Sequence, residues 1–333
     1  MVESNLTVAI PTYNRNDKLL ENLAKLLPQI GGQCIIIIDN HSDIPVEETI
    51  GDLLSANKEV DIKIYRNKTN IGISANFLRC FEYCETEWMW ILSDDDAPYE
   101  NAIDIIESDL KTYPDFIFFN YASAMVEEAY PIRTAIRRQT YETKGMSDFI
   151  NRFDSFANTI FISSGVYNVK LLLPNIRIGY IYGYSLAPHL ATVIYSLNEN
   201  GGCLFSNRKL VHFDPPASSD TWSTLTYCQV IMLLLEVPVL LSNNDFRVLS
   251  DKISVWFMSD AAVYQEVNTL YNEGSLKSRY IFLQVIARTI LRNRSLKQKL
   301  VLFYLLVVTA FPAFSVIKKL KRKGIAKTPL ARI

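Results

Sequence analysis

Five short apolar runs punctuate the first 120 residues: Leu6–Ile10, Cys34–Ile38, Ile62–Tyr65, Trp88–Leu92 and Phe116–Phe119. None alternates strictly between apolar and polar positions, so each suits a strand covered on both faces, as in a parallel sheet. The segments between them carry helical stripes. Asn16–Leu27 places Leu19, Leu20, Leu23, Leu26 and Leu27 on one side. Ser74–Cys84 does the same with Phe77, Leu78, Phe81 and Cys84, and Ala102–Leu110 with Ile103, Ile106 and Leu110 before Tyr113-Pro114 stops it. Strand and helix in alternation predict an α/β fold, a mostly parallel open sheet with right-handed crossovers. Ligands bind at the carboxyl ends of the strands in such sheets.

Beyond residue 120 the pattern weakens. Phe161–Val166 and Leu204–Phe205 read as strands and Ala187–Leu197 as a helix. After Trp222 the chain turns helical and apolar, with candidates at Gln229–Leu241, Ile253–Leu270 and Ser278–Leu291. A boundary falls near Asp214-Pro215-Pro216, dividing a 1–215 domain from a 216–333 helical region. With 49% hydrophobic residues the chain is neither disordered nor low in complexity. Five cysteines without a CxxC pair argue for buried thiols in a reducing compartment, and the N-terminus shows no export signal.

Polar residues crowd the ends of the first four runs: Pro11-Thr12-Tyr13-Asn14-Arg15, then Asp39-Asn40-His41-Ser42, then Asn67 with Asn70-Ile71-Gly72, then Ser93-Asp94-Asp95-Asp96. Three adjacent carboxylates repel one another, and a hard divalent cation, Mg²⁺ or Mn²⁺, relieves that repulsion and bridges nucleotide phosphates. The plainer alternative is an acidic turn before a helix. Asp39 has the chemistry to accept from a base N–H or a ribose hydroxyl, or simply to cap its strand. Gly72 permits a close backbone approach or a turn, and Asn76 is placed to orient a neighbouring loop.

The ordered set Thr7-Val8-Ala9-Ile10-Pro11-Thr12-Tyr13-Asn14-Arg15, Ile37-Ile38-Asp39-Asn40, Asn70 to Asn76 and Leu92-Ser93-Asp94-Asp95-Asp96 resembles the family 2 glycosyltransferases of the GT-A fold. The resemblance implies an inverting transferase that moves a sugar from a nucleotide-activated donor to a hydroxyl acceptor. It places Pro11, Thr12, Tyr13 and Arg15 beside the nucleotide and Asp39 on its base. It makes Asp94-Asp95-Asp96 the metal-binding motif, with Asp96 the direct ligand and Asp94 close to it and to the donor ribose or sugar. The chain departs from the family at the general base, where members carry a Glu-Asp pair before a helix. The corresponding stretch, Leu186 to Ala191, holds no acid, so His189 is the candidate, with Asp214 and Asp220 as rivals. His189 reads equally as a structural histidine, and His212 reads better as structural than as a group near the diphosphate.

Charge changes the picture once more. From Gly274 to Ile333 there are 14 Lys or Arg and no Asp or Glu, so an acidic body joins a basic tail. Within it Leu300–Ile317 runs 18 residues without a charge, flanked by lysines on both sides. Such a tail suits an in-plane helix or hairpin on an anionic membrane surface better than a span, and a packing or oligomerisation helix is the alternative. The expectation is a cytoplasmic enzyme, peripheral on the inner face of the membrane, acting on a saccharide or lipid-linked saccharide in surface polysaccharide or glycolipid synthesis. Nucleic acid is not an expected partner, because Lys318–Ile333 lacks interleaved aromatics; self-association stays open. Two rival readings are a catalytically inactive nucleotide-sugar-binding module and a metal-dependent nucleotidyl- or phosphotransferase.

Overall fold

The computed structural model describes residues 4–125, 139–153, 159–197, 201–213 and 230–257, together with Leu300 and Phe303. The chain divides into two units, Met1–Ser219 with Val230–Leu249, and Asp220–Gln229 with Ser250–Ile333. In chain order the elements are β1 (Leu6–Thr12), α1 (Asn16–Leu26), β2 (Cys34–Asp39), α2 (Val46–Ala56), β3 (Ile62–Arg66), α3 (Ile73–Tyr83), β4 (Trp88–Ile91), β5 (Ala97–Pro98), α4 (Ala102–Thr112) and β6 (Phe116–Met125). There follow β7 (Tyr141–Lys144), α5 (Gly145–Arg152), β8 (Gly165–Asn168), α6 (Val169–Leu172), α7 (Ile176–Ile181), α8 (Pro188–Ser196), β9 (Gly202–Phe213) and α9 (Asn243–Phe257).

The sheet runs β3-β2-β1-β4-β8-β6-β9-β5, with β7 also on β9. Its first half is wholly parallel: β1 lies between β2 and β4, and β2 bonds β3. The apolar runs predicted this half because both faces of β1, β2 and β4 are buried, the edge strand β3 being half-buried. Leu6, Val8 and Ile10 point to the side of α1 and α4, where Leu19, Leu23, Leu26, Ile103 and Ile106 join them in one core. The alternate positions, Ala9, Ile36, Ile38, Met89 and Ile91, are equally buried, and α3 packs over β1, β2 and β4. Burying each large aliphatic side chain contributes about 2 kcal/mol.

The second half is mixed. β8 enters between β4 and β6 antiparallel to both, while β6 and β9 run parallel. β8 begins at Gly165, later than the Phe161–Val166 run suggested, because Ile162–Ser164 form a 3-10 turn. An ideal Cβ on Gly165 would lie 2.1 Å from the Tyr167 hydroxyl, so only glycine allows that ring its place. The sequence reading also missed α2, although Val46, Ile50, Leu53 and Leu54 recur on one face; only Val46 and Ile50 are fully buried, the two leucines packing at the core's edge. The helix expected over Gln229–Leu241 is, in its described part, a 3-10 stretch at Met232–Glu236 that ends before Pro238. The segments Ser278–Leu291 and 258–270 lie outside the described residues, as does Leu300–Ile317 apart from Leu300 and Phe303. Among the described residues no helix is long and apolar enough to cross a membrane.

Candidate active site

The connection reverses at the β1/β4 pair, and the crevice outside the carboxyl ends of those strands is where an α/β sheet binds its ligand. Residues from β1, β2, β3 and β4 meet there. Register places Thr12 opposite Asp39, and the backbone N–H of Asn40 donates to the Thr12 carbonyl at 2.9 Å.

The three aspartates differ sharply. Asp94 is 3% exposed. Its Oδ2 accepts the Thr12 hydroxyl at 2.6 Å and its Oδ1 accepts from Arg15 at 3.3 Å, while its carbonyl accepts the Asn22 amide at 2.8 Å. Asp95 faces outward, held by Arg15 and by the Ser93 hydroxyl. Asp96 is again 3% exposed; its Oδ2 accepts the Ser163 hydroxyl, and among the described residues nothing donates to Oδ1. Burial pushes the Asp94 carboxyl up to about 6, with Thr12 and Arg15 holding it down. Burial likewise pushes Asp96 up to about 7, with the Ser163 hydroxyl opposing and the neighbouring carboxylates adding to the rise. A buried carboxylate in that condition gains by meeting a cation.

Among the described residues no three His, Cys, Asp or Glu side chains gather where they could hold a metal ion. The donor set nevertheless fits a hard divalent ion of the kind bound by one or two carboxylates plus substrate phosphates. Asp96 supplies an oxygen, Oδ1, with no donor on it among the described residues, whereas both oxygens of Asp94 are engaged. His212 pairs across the ladder with Ala97, the residue after Asp96, and its ring centre lies 3.9 Å from that of Tyr99.

Asp39 is fully buried rather than open to a ligand. Its Oδ1 accepts the Ser42 N–H at 2.8 Å and its Oδ2 pairs with Arg66, whose second nitrogen donates to the Ser42 carbonyl at 2.6 Å. Arg66, one-third exposed, therefore stands at this end of the crevice. Asn70 and Asn76 belong to an amide ladder. Asn40 donates to Asn70 and accepts from Asn67, which also donates to Asn76; Asn76 donates to the Ile38 carbonyl. Gly72 caps α3 with φ +84° and no atom crowding its missing Cβ, so the backbone angle is its requirement. Tyr13 is 41% exposed beside this ladder's strand end, Pro11 pairs with Ile38, and Asn14 adopts a positive φ while bonding Ser42 and Asp43.

His189 does not line the crevice. It is 1% exposed on the first turn of α8, edge-on to the Tyr167 ring at 6.0 Å. Among the described residues neither ring nitrogen has a hydrogen-bond partner. Burial pushes its value down to about 4, the backbone of Thr159 and Ile160 opposing. His189 is thus a buried imidazole held neutral in the core beside Tyr167. Asp214 and Asp220 lie outside the described residues.

Three contributors escaped the sequence: Arg66, Asn22 and Ser163. Asn22 left a trace, a polar residue on the buried leucine stripe of α1. Arg66 ends an apolar run, a weaker sign. Ser163 left none.

Residues 7–167 match the model of glycosyl transferase family 2. Abequosyltransferase RfbV of Salmonella typhimurium is 32% identical over 117 residues, covering 33% of this chain and 34% of that protein, so the match spans about a third of the curated relative's length. The crystal structure of S. aureus TarS 1-349 in complex with UDP-GlcNAc superposes with a TM-score of 0.67 at 13% identity, over 97% of this chain and 93% of that one. The mannosyltransferase PcManGT from Pyrobaculum calidifontis, in complex with GDP-Man and Mn²⁺, gives 0.53 at 13% identity over 96% and 88%. With the motifs in place at the ends of β1 to β4, residues 7–167 are similar to the glycosyl transferase family 2 domain, and the chain has a GT-A-like fold.

Proposed function

We propose that the chain is an inverting glycosyltransferase that moves a sugar from a nucleoside diphosphate sugar to a hydroxyl of a saccharide acceptor. The observation that carries this is the pair of buried carboxylates, Asp94 and Asp96, held at the β1/β4 crevice by Thr12, Arg15 and Ser163. Breaking the bond to the anomeric carbon leaves negative charge on the departing diphosphate. Bound Mg²⁺ or Mn²⁺ would stabilise that charge as a Lewis acid. Asp96 would hold the ion, and Thr12 and Arg15 would keep Asp94 oriented toward the donor. Tyr13 and Arg66 offer the exposed surface at the base end of the crevice. A base must take the acceptor proton on the opposite face; with His189 in the core, we assign that role to Asp214 or Asp220.

The basic, apolar tail supports a further part of the proposal: a protein held on an anionic cytoplasmic membrane surface, taking a lipid-linked acceptor for a surface polysaccharide or glycolipid. Burial of His189 equally favours a second reading, an inactive nucleotide-sugar-binding module. Thermal shift with UDP-, GDP-, dTDP- and CMP-sugars, with and without Mn²⁺, tests donor binding by mass action. Release of nucleoside diphosphate from the stabilising donor in the presence of acceptor separates enzyme from binding module. Release of sugar 1-phosphate instead would identify a nucleotidyltransferase.

A further inference from the structure

We propose that Ser163 is a positioning residue that fixes which oxygen of Asp96 faces the donor. The proposal rests on the reading of Asp96 given above and extends it to a residue 67 positions away. Ser163 is fully buried. Its Oγ accepts the Ser93 backbone N–H at 2.9 Å and donates its proton to Asp96 Oδ2. A hydroxyl has one proton and two acceptor sites. With the Ser93 N–H directed into the oxygen, the proton is committed to the carboxylate, and successive bonds in such a chain strengthen one another. The Ser163 carbonyl accepts the Trp90 indole N–H at 2.9 Å, so the turn carrying the hydroxyl is pinned to β4, the strand that delivers the aspartates.

The two buried carboxylates are thus oriented from opposite sides. Thr12 of β1 holds Asp94, and the turn before β8 holds Asp96. Because Ser163 occupies Oδ2, Oδ1 is the oxygen left to face a cation. A serine serving only the fold would need the Ser93 N–H alone; the second bond, to the carboxylate, is what orients the ligand. Outer partners of this kind tune metal affinity about 10- to 100-fold.

The test uses the full chain and follows loss of the free Mn²⁺ electron paramagnetic resonance signal on titration with UDP, GDP, CDP and dTDP in turn. Ser163→Ala should raise the Mn²⁺ dissociation constant about 10-fold or more. Ser163→Thr, which keeps the hydroxyl, should retain wild-type affinity. Should Ser163→Ala fail to fold, Ser163→Cys keeps the volume with a weak donor and should show the same loss. An Mn²⁺ constant within twofold of wild type in Ser163→Ala or Ser163→Cys overturns the positioning role alone. Absence of Mn²⁺ binding by the wild-type chain with all four nucleotides overturns the reading of Asp96, and this proposal with it.

Discussion

Replacing His189 by leucine separates a core imidazole from a catalytic one. The ring is fully enclosed, and among the described residues no charged side chain contributes to its depressed value of about 4; Tyr167, the aromatic neighbour, has its phenol pushed up by burial and stays neutral. In the unfolded chain the same imidazole titrates near its ordinary value of about 6.5. Between those two values the unfolded state binds a proton that the folded state refuses, so stability is full above about pH 6.5 and falls as pH drops toward 4. Each pH unit crossed in that window costs about 1.36 kcal/mol, so at pH 5 the loss relative to pH 7.5 amounts to about 2 kcal/mol. Leucine cannot titrate and removes two ring nitrogens that lack a hydrogen-bond partner among the described residues. Urea unfolding of wild type and His189→Leu at pH 7.5 and 5.0 isolates this contribution, because every other titrating group is common to both. The wild type should lose about 2 kcal/mol more than the variant over that interval. Parallel losses would refute the buried, neutral histidine, and a collapse of turnover in a stably folded variant would return His189 to the reaction.

Arg66→Ala should leave the Asp39 carboxylate buried without its countercharge and cost about 2 kcal/mol or more, with Asp39→Asn in the same chain recovering part of it; urea midpoints of the single and double variants check this. Asp96→Asn should abolish Mn²⁺-dependent stabilisation by the donor sugar while leaving the melting temperature of the free protein near wild type, read by thermal shift. Deleting residues 296–333 should free the protein from vesicles containing anionic lipid, read by co-sedimentation; sedimentation unchanged by the deletion would remove the tail from membrane binding.

The N-terminal half was legible because its physics is local. Runs such as Ile35 to Ile38 are apolar at every position, since both faces of β2 are covered, and Leu19, Leu23 and Leu26 recur at helical spacing. The site was legible where it follows from that layout: Thr12, Asp39, Asp94 and Asp96 all end predicted strands. What the sequence could not show was anything decided by tertiary pairing. His189 carries the right chemistry for a base, but its burial depends on Tyr167 from β8, twenty-two residues upstream. Asp39 reads equally as a ligand acceptor or a strand cap, because nothing in Cys34 to Asp39 reveals that Arg66 from β3 pairs with it. Ser163 stands in a stretch with no periodicity, and only its contact with Asp96 gives it meaning.

β8 has a consequence for how the chain is made. Trp88 pairs with Asn168 and Phe118 with Tyr167, so a four-residue strand fills the gap between two elements that leave the ribosome long before it. Until residue 168 has emerged, β4 carries an unsatisfied row of backbone donors and acceptors along one side, the geometry that invites pairing with a second chain. Closure of so distant a contact is slow as well. Expression fragments that stop short of residue 168 should therefore aggregate, and those meant to isolate the nucleotide-binding half must extend beyond it.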